Sequence, residues 1–163
     1  MADTLSVLNL AQVQFLTYPP VFFGYQNAAQ SLSNTTWTAL SIDNEVDDTY
    51  NGHSNVTNPS RYTCQVAGWY AVGGCYAPVG AAGGFRAVRI QKNGSPVLGS
   101  GCYILPASPT SNPEIGVVTP TVSVQLAVND YVEVAGWQSS GGALNTVLDV
   151  DLRCSLTVRF LHF

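Results

Sequence analysis

Four carboxylates lie close together at positions 43–48 and form the densest cluster of candidate metal ligands in the chain. They belong to Asp43, Glu45, Asp47 and Asp48. Calcium favours several oxygen ligands, so the cluster is a candidate calcium site. It does not fit an EF-hand, because Asp48 stands where the loop requires glycine and Ser54 where it requires a bidentate glutamate. The alternative is a solvated acidic loop, and no metal is assigned from the sequence.

Residues suited to catalysis are scarce. The chain has two histidines, His53 in a Gly-His-Ser turn and His162 near the C-terminus, whereas a serine triad needs a histidine held between an acid and the nucleophile. No G-x-S-x-G, H-E-x-x-H, phosphate-binding or dinucleotide-binding motif occurs. A glycosidase-type carboxylate pair stays open, although the acids crowd into one segment. The sequence therefore predicts a protein that is not an enzyme and uses no cofactor.

The four cysteines are widely spaced and include no C-x-x-C pair. They are Cys64, Cys75, Cys102 and Cys154. We expect reduced, mostly buried thiols, because no secretory signal precedes them. A zinc site is the alternative, with His53 and His162 as additional ligands.

The composition argues against several classes of partner. Apolar residues make up 46% of the chain and charged residues 10%, against roughly 25% in ordinary domains. So few charges predict that part of the surface is covered by other subunits. The net charge is −4 and the arginines are scattered, so nucleic acid is not an expected partner. No apolar run reaches the length of a membrane span, and we expect a soluble protein made in a cytoplasm.

Short strands separated by turns dominate the chain after residue 20. Apolar side chains alternate strictly with polar ones over residues 152–160, the pattern of a strand with one buried face. Residues 121–128 and 131–134 alternate likewise around an Asn129-Asp130 turn and predict a hairpin. Further strands are predicted at 21–26, 37–42, 61–66, 69–77 and 85–92, with a turn at Asn93-Gly94, a loop tip at Gly141-Gly142 and a proline-rich exposed loop at 106–113. About eight to ten short strands without a helical period predict a sandwich or jelly roll.

The first 20 residues differ from the rest of the chain. Leu5, Leu8 and Phe15 form an apolar stripe that suits either a helix or an extended arm, and Tyr18-Pro19-Pro20 ends it. We predict a docking arm over residues 1–20 and one domain over 21–163. The alternative is that the arm is an edge strand of the same domain.

From Trp37 onward, the order of motifs resembles the C1q/TNF superfamily, especially the divergent C1q-like domains of bacteria and their phages. Gly68-Trp69-Tyr70 is similar to the Gly-x-Tyr that opens a family strand, and residues 89–94 are similar to a hydrophobic strand ending in Asn-Gly. Residues 126–132 resemble the family's hairpin, with Asn129 in place of the usual glycine, and 155–160 match its closing strand. The match includes both ends of the domain, but the chain has no collagen-like stem.

This resemblance implies a ten-stranded jelly roll that assembles as a homotrimer. By the family pattern, Tyr70 lies at the threefold contact, and Tyr131 and Phe160 are further candidates. The alternative for each of these aromatics is the core of a single sandwich, because aromatic residues are common in cores and interfaces alike.

Two roles follow for such a trimer. The first is a phage virion structural protein that decorates the capsid, with residues 1–20 bound to other virion proteins. The second is a receptor- or glycan-binding module of a tail or spike, whose loops bind through Trp37, Tyr103 or Trp137. A bacterial C1q-like protein without a phage connection is a further alternative.

Overall fold

The computed structural model describes residues 18–106 and 114–163. In this part of the chain all regular elements are β-strands, so the all-β prediction is confirmed. No helix in the described part is long and apolar enough to cross a membrane. The predicted docking residues Leu5, Leu8 and Phe15, and most of the proline-rich loop, lie outside the described residues.

The first sheet joins the two ends of the domain. Its strands are β1 (Val21–Tyr25), β4 (Asn44–Asp48), β6 (Gly68–Tyr76), β10 (Val117–Val118), β11 (Val122–Leu126) and β14 (Ser155–His162). The order is β10-β6-β14-β1-β4, and β11 pairs with β6 on the β10 side. The C-terminal strand β14 therefore lies between β1 and β6 and is antiparallel to both.

The second sheet faces the first across the core. Its strands are β3 (Thr38–Ala39), β5 (Arg61–Thr63), β7 (Arg86–Lys92), β8 (Ser95–Pro96), β9 (Cys102–Ile104) and β12 (Tyr131–Gln138). The order is β3-β12-β7-β8, with β5 also on β12 and β9 also on β7. A two-stranded ladder of β2 (Ser31–Leu32) and β13 (Leu144–Asn145) completes the fold.

The period-two patterns place every second side chain inside the sandwich. The inward residues of the long strands are fully or almost fully buried: Phe22, Tyr70, Val72, Val88, Ile90, Val132, Val134, Leu156 and Val158. Burying each such aliphatic or aromatic side chain contributes about 1.5–3 kcal/mol, so this double layer is the main source of stability. The predicted strands at 69–77, 85–92, 121–128, 131–134 and 152–160 are confirmed with shifted ends. The hairpin predicted around Asn129-Asp130 is wrong, because β11 pairs with β6 in the first sheet while β12 belongs to the second, so this turn joins the two sheets. The described residues contain fourteen strand segments where ten strands were expected, and five of these segments are two-residue pieces: β2, β3, β8, β10 and β13.

The acidic segment is a strand and not the loop that the sequence predicted. Asn44–Asp48 forms the edge strand β4, which pairs with β1 through a register shift between Phe23 and Gly24. Both faces of this edge strand are largely open, so its side chains lack the apolar alternation that identifies a strand. Pairing of the backbone with β1 determines the structure here.

Two turns that the sequence predicted separately are bonded to each other. Asn93, which has a positive φ of 50°, donates from its amide to Asp130 at 2.7 Å and accepts from the Tyr131 N–H at 2.9 Å. Asp130 also pairs with Lys92 at 2.8 Å and accepts from the Ala127 N–H at 2.9 Å. Hydrogen bonds from Lys92 and Asn93 lower the pKa of Asp130 to about 2.

Replacing this carboxylate is expected to remove a pH-dependent part of the stability. The pKa of Asp130 is lower in the folded chain than the ordinary value of about 3.9, so its contribution is present above about pH 4 and is lost as the pH falls towards 2. We predict that Asp130→Asn lowers the free energy of unfolding by about 1 kcal/mol at pH 7, and that the difference from the parent shrinks below pH 4. Urea unfolding at several pH values measures this.

Asp151→Asn is the matched control, because Asp151 is an aspartate with an exposed side chain. Equal losses at pH 7 and pH 2.5 for Asp130→Asn would contradict the role assigned to the turn pair.

Candidate functional site

Three aromatic residues named from the sequence meet on the outer face of the second sheet. Trp37 precedes β3, Tyr103 is on β9 and Trp137 is on β12. The Trp37 ring centroid lies 6.2 Å from that of Tyr103, edge to face, and 6.4 Å from that of Trp137. Such spacings are those of mutually stabilising aromatic pairs.

Sheet order brings these residues together. β3 pairs with β12 through Thr38 and Gly136, which places Trp37 beside Trp137. Trp137 is opposite Ala87 of β7, and Ala87 is opposite Tyr103 of β9. Because successive side chains of a strand point to opposite faces, Trp137 projects away from the core.

Arg89 completes the cluster, and sequence reasoning missed it. Its guanidinium lies 4.0 Å from the centre of the Trp37 ring, within the range of a cation–π contact. With the Gln91 amide oriented so that its oxygen faces Arg89, that oxygen accepts two hydrogen bonds, at 2.6 and 3.2 Å. Alternation along β7 would have identified Arg89, because its neighbours Val88 and Ile90 are core residues. We call Trp37, Tyr103, Trp137 and Arg89 the aromatic platform.

The electrostatics of the platform are those of a partly desolvated cation. Burial lowers the pKa of Arg89, while the Tyr103 phenol acts in the opposite direction. An arginine remains charged under such shifts because its ordinary pKa is above 12. Within the described residues no carboxylate pairs with Arg89. The platform therefore presents apolar rings and one cation that has no acidic partner.

The outer face of the first sheet has a different chemistry. Small or hydroxyl side chains cover its centre, where Thr157 lies opposite Gly73 and Arg159 opposite Ala71. A shallow groove of about 360 Å³ runs here, and its lining consists of Ala71, Gly73, Gly74, Cys75, Val118, Thr119, Thr121, Ser155, Thr157 and Arg159. Arg159 is the one charged residue of that lining. The centre of this face thus carries one charge, that of Arg159, and is open to close approach.

The three predicted interface aromatics occupy different environments. Tyr70 differs from the expectation, because its side chain is fully buried between the sheets and its hydroxyl donates to the Val66 carbonyl. A side chain enclosed by its own chain has no surface left for a partner. Phe160 packs edge to face on Tyr70 with centroids 5.4 Å apart. Tyr131 lies on the second sheet beneath Arg61, whose guanidinium is 4.0 Å from the ring centre.

The candidate calcium ligands do not converge. Asp48 accepts from the N–H groups of Gly52 and His53, Asp43 accepts from the Asn27 N–H, and Glu45 pairs with His53 at 2.8 Å. Asp47 is on β4 opposite Phe23. Among the described residues no three potential ligands are grouped for a metal. The pleat of β4 and these separate hydrogen bonds explain why four nearby acids form no site.

His53 is held by contacts with β1, Glu45 and Pro59. Its side chain is fully buried, its ring stacks on Phe22 with centroids 4.7 Å apart, and its second nitrogen contacts the Pro59 carbonyl at 3.1 Å. The ring links the 49–60 segment to β1.

The four cysteines are free thiols, as expected from the sequence. Cys64 and Cys154 are fully buried, and burial raises the pKa of Cys154 to about 12. A thiol with so high a pKa is a poor nucleophile at neutral pH.

Comparisons with known proteins identify the fold. No protein-family model and no curated protein sequence matches the chain. Among solved structures, the globular domain of zebrafish complement 1qA is similar, with a TM-score of 0.57 and 12% identity, over 88% of this chain and 98% of that one. The Eiger TNF of S. frugiperda is also similar, with a TM-score of 0.58 and 10% identity, over 88% of this chain and 92% of that one. The chain therefore has a C1q/TNF-like jelly-roll fold, as predicted.

Truncating the platform residues is expected to affect stability unequally. Trp37 is half-buried and contacts Tyr103, Trp137 and Arg89, whereas Tyr103 is 62% exposed. We predict that Trp37→Ala lowers the free energy of unfolding by about 2–3 kcal/mol and Tyr103→Ala by less than about 1 kcal/mol. Urea unfolding of both variants tests the order, and equal losses would show that Trp37 does not hold the platform together.

Proposed function

We propose that this protein is a homotrimeric structural and binding module, not an enzyme, whose threefold contact is the outer face of the first sheet. The observation that carries the proposal is the nearly uncharged, small-residue surface around Gly73 and Thr157. Small side chains let two backbones approach closely, and obligate interfaces are depleted of charge. The low charged fraction of the whole chain and the C1q/TNF-like fold support the same assignment.

The role that we propose for the trimer is decoration of a virus capsid, in which the protein is a phage virion structural protein. A trimeric cap suits threefold and quasi-threefold positions, where one symmetric protein bridges several capsid subunits. The sequence resemblance to phage C1q-like domains and the apolar positions Leu5, Leu8 and Phe15, which would dock onto a capsid protein, support it. A bacterial C1q-like protein outside a phage is the alternative setting.

Recognition of a receptor or glycan is the second candidate function. The convergence of Trp37, Tyr103 and Trp137 on one surface favours it. This surface is on the second sheet, so a trimer formed through the first sheet leaves it accessible. A tail or spike location would suit this function as well as a capsid does.

A charge placed on the first sheet is expected to dissociate the trimer. Thr157→Arg adds a long cation opposite Gly73, at a half-buried outward position, so three copies would bring three new charges together. Light scattering of the parent is expected to give three times the 17.3 kDa chain mass, and that of the variant one chain mass. A monomeric parent would overturn the trimer proposal.

Thr63→Arg is the matched control, because Thr63 is a half-buried strand threonine opposite Tyr131 on the other sheet. The control is expected to keep the mass of the parent. If Thr63→Arg dissociates the assembly and Thr157→Arg does not, the contact belongs to the second sheet.

Decoration of a capsid predicts that the protein is part of the particle. Peptide mapping of purified virions, or a virion reconstruction at a resolution that shows β-strands, is expected to find it in a fixed ratio to the major capsid protein. Its absence from washed particles would exclude the virion role and leave the bacterial alternative.

A further inference from the structure

The second sheet contains two arginine–aromatic pairs that differ in one respect. Arg61 lies 4.0 Å from the centre of the Tyr131 ring, and Arg89 lies 4.0 Å from that of Trp37. Arg61 is neutralised by Glu133, whose carboxylate is 3.1 Å away. In the described part of the chain Arg89 has no carboxylate partner. The two pairs share the same distance from guanidinium to ring centre, but only Arg61 has a carboxylate partner among the described residues.

The N–H donors of the Arg89 guanidinium that have no partner can be counted. A guanidinium has five N–H donors in a planar fork, and the Gln91 oxygen accepts two hydrogen bonds from it. Three donors are left without a partner among the described residues. The fork geometry of arginine matches a carboxylate, which can accept two parallel bonds. Stacking on Trp37 and bonding to Gln91 hold the fork in place before any ligand arrives, and this lowers the entropic cost of binding.

Two aromatic rings of the platform are accessible. Tyr103 is 62% exposed and Trp137 is half-buried. The faces of aromatic rings carry partial negative charge, so they attract the weakly positive C–H groups on the flat side of a sugar ring. Open rings beside an unpaired cation therefore fit a ligand with both a C–H face and a carboxylate.

We propose that the aromatic platform binds saccharides that contain a carboxylate, with Tyr103 and Trp137 stacking on the sugar and Arg89 bonding to its carboxylate. The proposal rests on the second candidate function and names its ligand class. It assigns Trp37 a positioning role, because one side of its ring is already occupied by Arg89. The carboxylate would supply at Arg89 the anion that Glu133 supplies at Arg61.

The test measures binding of the full chain to three acidic polysaccharides: polygalacturonate, hyaluronan and polysialic acid. Each is paired with its carboxyl-reduced form, so the two probes share a backbone and differ in charge. The parent protein is expected to bind at least one acidic probe at least about tenfold more tightly than its reduced form, because a charge-assisted bidentate bond is lost on reduction. Arg89→Gln is expected to abolish this preference, and Tyr103→Ala to weaken binding of both forms.

Arg61→Gln is the matched control, because it removes an equally placed cation from the same sheet. Arg153→Gln is a second control, because Arg153 precedes β14 and its guanidinium lies 5.3 Å from the centre of the Tyr25 ring of the first sheet. Thermal unfolding confirms that each variant is folded. Both controls are expected to keep the preference for the acidic probe. A loss of preference in the controls equal to that of Arg89→Gln would show non-specific attraction by net charge and would overturn the proposal.

The remaining outcomes separate this inference from the functions on which it depends. Equal binding of acidic and reduced probes keeps saccharide recognition but removes the role of Arg89. Binding of neither, or binding of a poly-glutamate peptide in preference to all saccharides, overturns saccharide recognition itself. The trimer is judged separately by its mass, because Arg89 and Thr157 lie on different sheets.

Discussion

The fold depends on the insertion of the C-terminal strand between the first strand and the central strand of the same sheet. β14 pairs with β1 over five residues and with β6 over seven, so the two ends of the domain are hydrogen-bonded to each other. Its inward side chains Leu156 and Val158 are fully buried, while Thr157 and Arg159 point outward. Since a shift of one residue would exchange these two sets, the register of β14 determines both the core and the outer face of the sheet.

The outer faces of the two sheets differ in chemistry, and this difference follows from the same alternation of side chains. At the centre of the first sheet it exposes glycine, alanine and threonine around one arginine. On the second sheet it exposes Trp137, Arg89 and Tyr103. A small-residue face suits close contact with identical subunits, whereas rings that stand above the sheet suit a ligand. A sandwich can therefore form subunit contacts through one sheet and bind a ligand through the other, because the small residues and the rings lie on different faces.

Alternation also explains which parts could be predicted from the sequence. β6, β11 and β14 alternate between buried and more open positions, so their patterns identified them. The edge strand β4 has no buried face, and its acids predicted a loop. Tyr70 was expected at a subunit contact but is enclosed between the sheets, because a Gly-x-Tyr pattern does not state which face the tyrosine takes. Trp37, Tyr103 and Trp137 could be named singly, but only the sheet order β3-β12-β7 with β9 shows that they meet.

A cation placed on a hydrophobic sheet face has a cost that constrains its use. Removing part of the hydration of Arg89 disfavours its charge, which is the reason that its pKa is lowered. The stack on Trp37 and the bonds to Gln91 offset that cost only in part, because neither partner carries a negative charge. At Arg61 the cost of removing hydration is offset by an ion pair with Glu133, which is itself almost fully buried. The fold can evidently supply a carboxylate next to a stacked guanidinium, so the open position beside Arg89 is a property of the site and not a limit of the architecture.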